Sequence, residues 1–202
     1  MGLRERKKEK TRLAILDAAL DLFLEQGYES TTVEQIAGAV EISPRTFFRY
    51  FNSKDHLALW HHEHGEEIML ETLASRPEDE SPFTALMQAM RAVVGDLEGS
   101  TPEDRARFLK LRRLMEDHPR LVGMSVARGA ATERRLIELI ATRRGVDPDE
   151  DLLTPLIVAF AACTLRVGFE CPRRDSGLPE ITRRMAETIE LAERSLRPGW
   201  DR

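Results

Sequence analysis

TTVEQIAGAVEISPRTFFRYFNSK, residues 31–54, decides the reading of this chain, because it spells two short helices joined by a tight turn. Thr32 can cap the first helix with Gln35 reaching back to it, and Thr31 with Glu34 offers the alternative register of the same capping box. Val33, Ile36, Ala37 and Val40 form an apolar stripe at helical spacing, which Glu41, Ile42 and Ser43 interrupt. Pro44 then restarts a helix from its first turn. A connection this short fits a helix-turn-helix, whose second helix lies in the major groove of duplex DNA while the first crosses the backbone.

The second helix, expected over residues 44–50, carries Arg45, Thr46, Arg49 and Tyr50 among Phe47, Phe48 and Phe51. Phe47 and Phe51 are four residues apart and point inward. Arg45 and Arg49 share another face and can reach guanine edges or phosphates, since a guanidinium fork matches guanine O6 and N7. Solvated arginines on an ordinary amphipathic helix are the plainer reading of those two residues alone.

Taken together, the leading helix ending in EQGYESTTVEQIA, the turn VEISPRTFFRYF and the closing NSKDHL resemble the DNA-binding domain of the tetracycline-repressor (TetR) family. The resemblance covers roughly the first fifty residues. It implies DNA contacts from Thr31 and Thr32 at the start of the second helix, from Ser43, Pro44, Arg45, Thr46, Phe48, Arg49 and Tyr50 around the recognition helix, and from Lys54 just after it. Many members carry tyrosine where this chain has Phe48, and phenylalanine packs without bonding a phosphate.

Charge is unevenly placed over the 202 residues. The net charge of -5 does not suit a protein that coats nucleic acid indiscriminately. Residues 1–54 hold nine Lys/Arg against eight Asp/Glu, whereas the remainder holds 21 against 27. Arg4, Arg6, Lys7, Lys8, Lys10 and Arg12 crowd the N-terminus. They read either as an arm that tracks DNA or as a solvated, frayed helix start. No apolar run is expected to reach the roughly 18 to 20 residues of a membrane span, and no signal-like apolar region follows the basic start, so a cytoplasmic protein is expected. Cys163 and Cys171 fall on one expected helix about 12 Å apart, too far for a disulfide within it.

Beyond residue 54 the chain reads as helix after helix. Ser43-Pro44, Ser81-Pro82, Thr101-Pro102 and Asp147-Pro148 each pair a cap with proline at the first helical position. Helices are expected over 8–26, 33–39, 44–50, 54–75, 82–97, 102–117, 120–144, 149–171 and 179–196. The fold class is therefore all-α: a three-helix helix-turn-helix domain over 1–54 and a larger helical domain for ligand binding and dimerisation over 55–202. The helix around Leu156, Ile157, Phe160, Ala161 and Leu165 is apolar almost all round, and Ile181, Met185, Ile189 and Leu196 continue the pattern. Such a pair can serve as an intramolecular core or form a four-helix bundle across a two-fold axis, and the family resemblance implies the second, a homodimer.

The middle of the chain is rich in methionine, which fills irregular gaps and suits surfaces that accept several shapes. Met87, Met90, Phe108, Leu111, Met115, Met124 and Phe160 are candidates for an effector pocket, with plain core packing as the alternative. The family resemblance favours a small-molecule effector. LRRLMEDHPRLVGMS and ELIATRRGVDPDEDLL are also similar to actinobacterial members associated with acyl-CoA-like ligands. Arg166, the only charge between Thr154 and Phe169, needs a partner or water. Glu116, Glu133 or a glutamate of a second subunit could pair with it, or it could hold an acidic effector group. His61 and His64 lie three apart with Glu67 one turn further on, which invites a metal, but the HHEH run of His61, His62 and His64 without a cysteine or a distant partner reads as a polar helix surface, so no metal and no cofactor are assigned. GxSxG, HExxH, GxGxxG and GxxxxGK[ST] are absent, which disfavours an enzyme. The alternative to a ligand-responsive DNA-binding regulator is a helical metal- or small-molecule-binding module, or an enzyme, without sequence-specific DNA binding.

Overall fold

A computed structural model describes residues 2–170, 176–196 and 199–201, and of residues 3, 61 and 62 the backbone alone. Among these it contains ten helices and no strand: α1 (Leu3–Gln26), α2 (Val33–Ala39), α3 (Pro44–Phe47), α4 (Lys54–Ala58), α5 (Trp60–Ser75), α6 (Pro82–Gly99), α7 (Pro102–Asp117), α8 (Pro119–Arg144), α9 (Leu153–Glu170) and α10 (Leu178–Ser195). The chain divides into two compact units, Met1–His61 with Pro102–Met124, and His62–Thr101 with Ser125–Arg202. This division differs from a single cut after residue 54, because α7 and the start of α8 fold with the N-terminal helices.

In the first unit, Ile15, Leu16, Ala19, Leu20 and Phe23 form the buried stripe of α1 and pack with Ile36, Phe47, Phe51, Leu57, Leu111, Leu114 and Leu121. Gly27 ends α1 at φ 93°, a region that costs an L-residue with a Cβ, and its amide returns to the Phe23 carbonyl at 3.1 Å. Arg12, half-buried, turns toward this core. Its guanidinium lies over the rings of Phe51 and Trp60, 5.7 and 5.2 Å from their centroids. The remaining N-terminal basic residues are exposed on a helix that is already continuous from Leu3.

Four expected helices shift a limit by three residues or more, or are interrupted. Helix α3 closes after Phe47 and continues as turns, with the Tyr50 and Phe51 amides bonded to the Phe47 carbonyl. The helix expected over 54–75 is interrupted at Leu59 (φ -99°, ψ 5°), although the Leu59 amide still reaches the Asp55 carbonyl. α1 begins five residues earlier than the first apolar repeat suggests. Finally, α9 starts at Leu153 and not near 149, because Asp147 closes a turn onto Glu150 and Asp151, while the Asp151 carboxylate receives the Thr154 amide at 2.7 Å.

In the second unit α6, α9 and α10 pack mutually through Leu86, Met87, Met90, Ile157, Val158, Ala161, Ile181, Met185 and Ile189. α9 and α10 approach closely at Gly168, where an added Cβ would stand 2.9 Å from the Met185 Cα. The expectation of no span-length apolar run is corrected at α9: Leu153–Glu170 has mean hydropathy 1.5 and is long and apolar enough to cross a membrane by length and composition. Packing against α6 and α10 buries one face of it, Leu156, Phe160 and Val167 stay exposed, and Arg166 and Glu170 occupy the same helix. Cys171 lies outside the described residues.

Candidate nucleic-acid interface

The helix-turn-helix is built from caps whose hydroxyls are used in place. Thr32 realises one of the two registers open to it, accepting the Gln35 amide at 3.2 Å while the Gln35 side chain accepts the Thr32 amide at 2.9 Å. Thr31 turns inward. It is 1% exposed, donates to the Gly27 carbonyl at 2.8 Å and accepts from Gln26 Nε2 at 3.1 Å. The residue that resemblance assigned to DNA therefore holds the α1–α2 loop, which leaves Thr32 alone of the pair at the surface.

Between α2 and α3 the chain reverses through Glu41 at φ 55°, with the Ile42 amide on the Ala37 carbonyl and the Glu41 amide on the Gly38 carbonyl. This is the crossed pair of bonds that ends a helix at a left-handed residue, a place where glycine is the usual occupant. Ser43 then caps α3, accepting the Thr46 amide at 3.1 Å, and Pro44 follows at the first helical position.

That arrangement fixes which side chains face outward. Phe47 and Phe51 are fully buried, with ring centroids 5.9 Å apart. Ser43, Pro44, Arg45, Phe48 and Arg49 are exposed, and Thr46 and Tyr50 are half-buried. The other sequence candidates are thus exposed or half-buried, while Thr31 is buried and Lys54 turns inward. Arg49 lies beside the Tyr50 ring, 5.7 Å from its centroid. Phe48 is 53% exposed, a large apolar ring on a polar surface. Lys54, at the start of α4, points back into the protein. Its ammonium donates to the carbonyls of Tyr28, Glu29 and Thr31 at 2.8, 3.3 and 3.3 Å.

Behind this surface, charged pairs join α7 and α8 to the helix-turn-helix. Arg107 of α7 grips Asp17 of α1 and also Asp104. Lys110 pairs with Asp21, and Arg120 of α8 reaches Asp55 at 3.4 Å and Glu29 at 3.7 Å. Tyr28 donates its hydroxyl to Asp55. Burial first, and then that bond, push the phenol well above its ordinary range. Sequence reasoning missed the long-range partners, since charges separated by 65 positions or more leave no local pattern.

The eight effector-pocket candidates are not gathered within either unit. Met87 and Met90 are buried in the core of the second, while Phe108, Leu111, Met115 and Met124 belong to the first. Phe160 is 41% exposed and meets Trp200 edge-on at 5.4 Å. Arg166 has both the partner and the water it needs, but the partner is neither Glu116 nor Glu133. It pairs with Glu170 one turn along α9 at 3.1 Å, with Cys163 Sγ 3.7 Å away. Leu156, Phe160 and Val167 emerge with it on the outer face of α9. His64 pairs with Asp96 at 3.1 Å, and the side chains of His61 and His62 lie outside the described residues.

In comparisons with known proteins, a family model described as bacterial regulatory proteins, tetR family, matches residues 15–59, and one described as the MftR C-terminal domain matches residues 84–194. The HTH-type transcriptional regulator TcmR of Streptomyces glaucescens is 45% identical over 168 residues, 82% of this chain and 74% of TcmR. The uncharacterized HTH-type transcriptional regulator YuxN of Bacillus subtilis (strain 168) is 48% identical over 52 residues, 26% of this chain and 18% of YuxN. Native NalD, the secondary repressor of the MexAB-OprM multidrug efflux pump in Pseudomonas aeruginosa, matches with a TM-score of 0.59 at 24% identity, covering 95% of this chain and 100% of that one. At that identity the likeness speaks for the fold alone.

Proposed function

Since the chain belongs to the tetR family of bacterial regulatory proteins, we propose that this transcriptional regulator is a cytoplasmic repressor that binds a pseudo-palindromic operator as a homodimer and is released by a small-molecule effector. The observation that carries the DNA half of this reading is the surface of α3. Two guanidinium groups, Arg45 and Arg49, stand exposed on a short segment whose other side is pinned by fully buried Phe47 and Phe51. Rigid backing matters because base readout needs a side chain held in register with the groove.

On this reading Arg45 and Arg49 read base edges. Thr32, Ser43, Pro44, Thr46 and Tyr50 frame the backbone contacts, and Phe48 offers an apolar face to a thymine methyl or a sugar. The exposed apolar row Leu156, Phe160 and Val167 on α9, with Leu191 of α10, supports self-association, because it leaves large side chains facing water in a single chain. Two-fold symmetry then places two recognition helices on two half-sites. The effector site belongs to the region matched by the MftR C-terminal model, residues 84–194.

Selection of duplexes from a random pool by the full-length protein, followed by footprinting of the winners and of the DNA upstream of its own gene, tests the proposal. Enrichment of an inverted repeat, protected over two half-sites, is expected. Enrichment of no sequence over random DNA would overturn it.

A further inference from the structure

Lys54 is expected by resemblance to bond a DNA phosphate, yet its ammonium is already engaged. An ammonium has three N–H donors. Three carbonyl oxygens stand around this one: Tyr28 at 2.8 Å, Glu29 at 3.3 Å and Thr31 at 3.3 Å. The Tyr28 ring lies beneath, with Nζ 4.5 Å from its centroid, and a Glu29 carboxylate oxygen lies at 4.0 Å. The side chain is only 22% exposed. Reaching a phosphate would require breaking that cage, which leaves the carbonyl of buried Thr31 without this donor and that of Tyr28 with the Thr31 amide at 3.3 Å, and so costs more than an ordinary exchange of partners in water.

The cage also lies where it can control the reading head. Residues 27–32 connect α1 to α2 and include Gly27 at φ 93° and Thr32, the cap of α2. Lys54 is the first residue of α4, which follows α3. Its ammonium therefore ties the entry of the helix-turn-helix to its exit, across 23 to 26 positions of sequence. Asp55 strengthens the same tie by accepting the Tyr28 hydroxyl.

We propose that Lys54 is a positioning residue, which sets the orientation of α2 and α3 by caging its ammonium in the α1–α2 loop, and does not contact phosphate. This rests on the reading of the first unit as a DNA-binding unit. A phosphate ligand releases a counterion and so contributes about one to the slope of log affinity against log salt. A positioning residue changes affinity without changing that slope.

The test uses the full-length protein and a duplex that the wild type has selected from a random pool. Lys54→Met should lower affinity about tenfold, with an unchanged salt slope and faster amide exchange confined to residues 28–32. Lys54→Arg keeps the charge but has its donors in one plane, so it should fail to restore affinity. In case Lys54→Met does not fold, reductive methylation of wild-type lysines gives a second reading: Lys54 should react slowly both with and without duplex. A salt slope lower by about one in Lys54→Met, wild-type affinity in Lys54→Arg, or a Lys54 amine that reacts freely until DNA is added would each overturn the assignment alone. Failure of the wild type to select any duplex would overturn the DNA-binding reading and this assignment together.

Discussion

The guanidinium of Arg107 holds the carboxylate of Asp17 with two parallel bonds, Nε to Oδ1 at 2.6 Å and Nη2 to Oδ2 at 2.8 Å, and so fastens α7 to α1. The arginine side chain is 11% exposed and the aspartate 43%. Hydrogen bonding to Asp17 is the main reason the guanidinium is held above its usual range.

Asp17→Asn should therefore destabilise the protein by about 2 kcal/mol. That is less than the loss for a fully broken buried pair, because Asp104 keeps a bond to the same guanidinium. Urea unfolding measures it. A change within about 0.5 kcal/mol of zero, the range of ordinary surface substitutions, would mean the pair does not hold the two helices together.

Arg45→Ala and Arg49→Ala should each weaken binding to the selected duplex by about 1 to 3 kcal/mol and affect random DNA less. Competition titrations against both duplexes decide this. Equal losses on the two would reduce both arginines to phosphate contacts.

Leu156→Glu separates self-association from folding more cleanly than a change at Phe160, whose ring also meets Trp200. Leu156 is 49% exposed in the single chain. The variant should keep its helical signal, sediment as a monomer and lose tight operator binding. A variant that still sediments as a dimer would remove α9 from the interface.

Glu41 sits at φ 55° in the turn of the helix-turn-helix, a conformation that costs a residue with a Cβ about 1 kcal/mol or more. Glu41→Gly relieves that strain and gives part of the gain back as freedom in the unfolded chain, so a net stabilisation of about 0.5 kcal/mol is expected. Thermal melting checks the sign, and a lower melting temperature would contradict the strain argument.

Glu80 is held below the usual carboxylate range, first by its two-pronged bond from Arg76 at 2.7 and 2.5 Å. A lowered folded value means that the stabilisation is complete above the unfolded value, near pH 4.3, and is lost as pH falls through the folded one. Melting temperature should thus stay level down to about pH 5 and decline below it, and Glu80→Gln should make the decline shallower. Identical acid limbs in the two proteins would exclude Glu80 as a contributor.

What the sequence made legible was local. Thr32 and Ser43 announce helix starts through bonds that span three residues, Pro44 through its fixed backbone angle, and each stands at the start it announces. The inward pair Phe47 and Phe51 follows from spacing alone. Thr31 was not legible, because its choice between surface and loop depends on Gln26 and Gly27 arriving beside it. Nor was Lys54, whose role depends on carbonyl oxygens, and these carry no side-chain signature. The partner of Arg166 was not legible either: the apolar letters around it pointed to carboxylates of other helices, but the side chain faces outward, where Glu170 is one turn away.

The first unit is discontinuous, and that restricts how such regulators can be recombined. A chimera that grafts residues 1–61 onto a different effector domain would remove Leu111, Leu114 and Leu121 from the core they complete, along with the Arg107 partner of Asp17. The graft would carry every side chain proposed to face DNA and still arrive with an open flank. To transplant operator specificity, the exchanged material has to include residues 102–124, or be confined to the outward positions of α3 and the turns that follow it, where Arg45 and Arg49 can be rewritten without disturbing the frame that holds them.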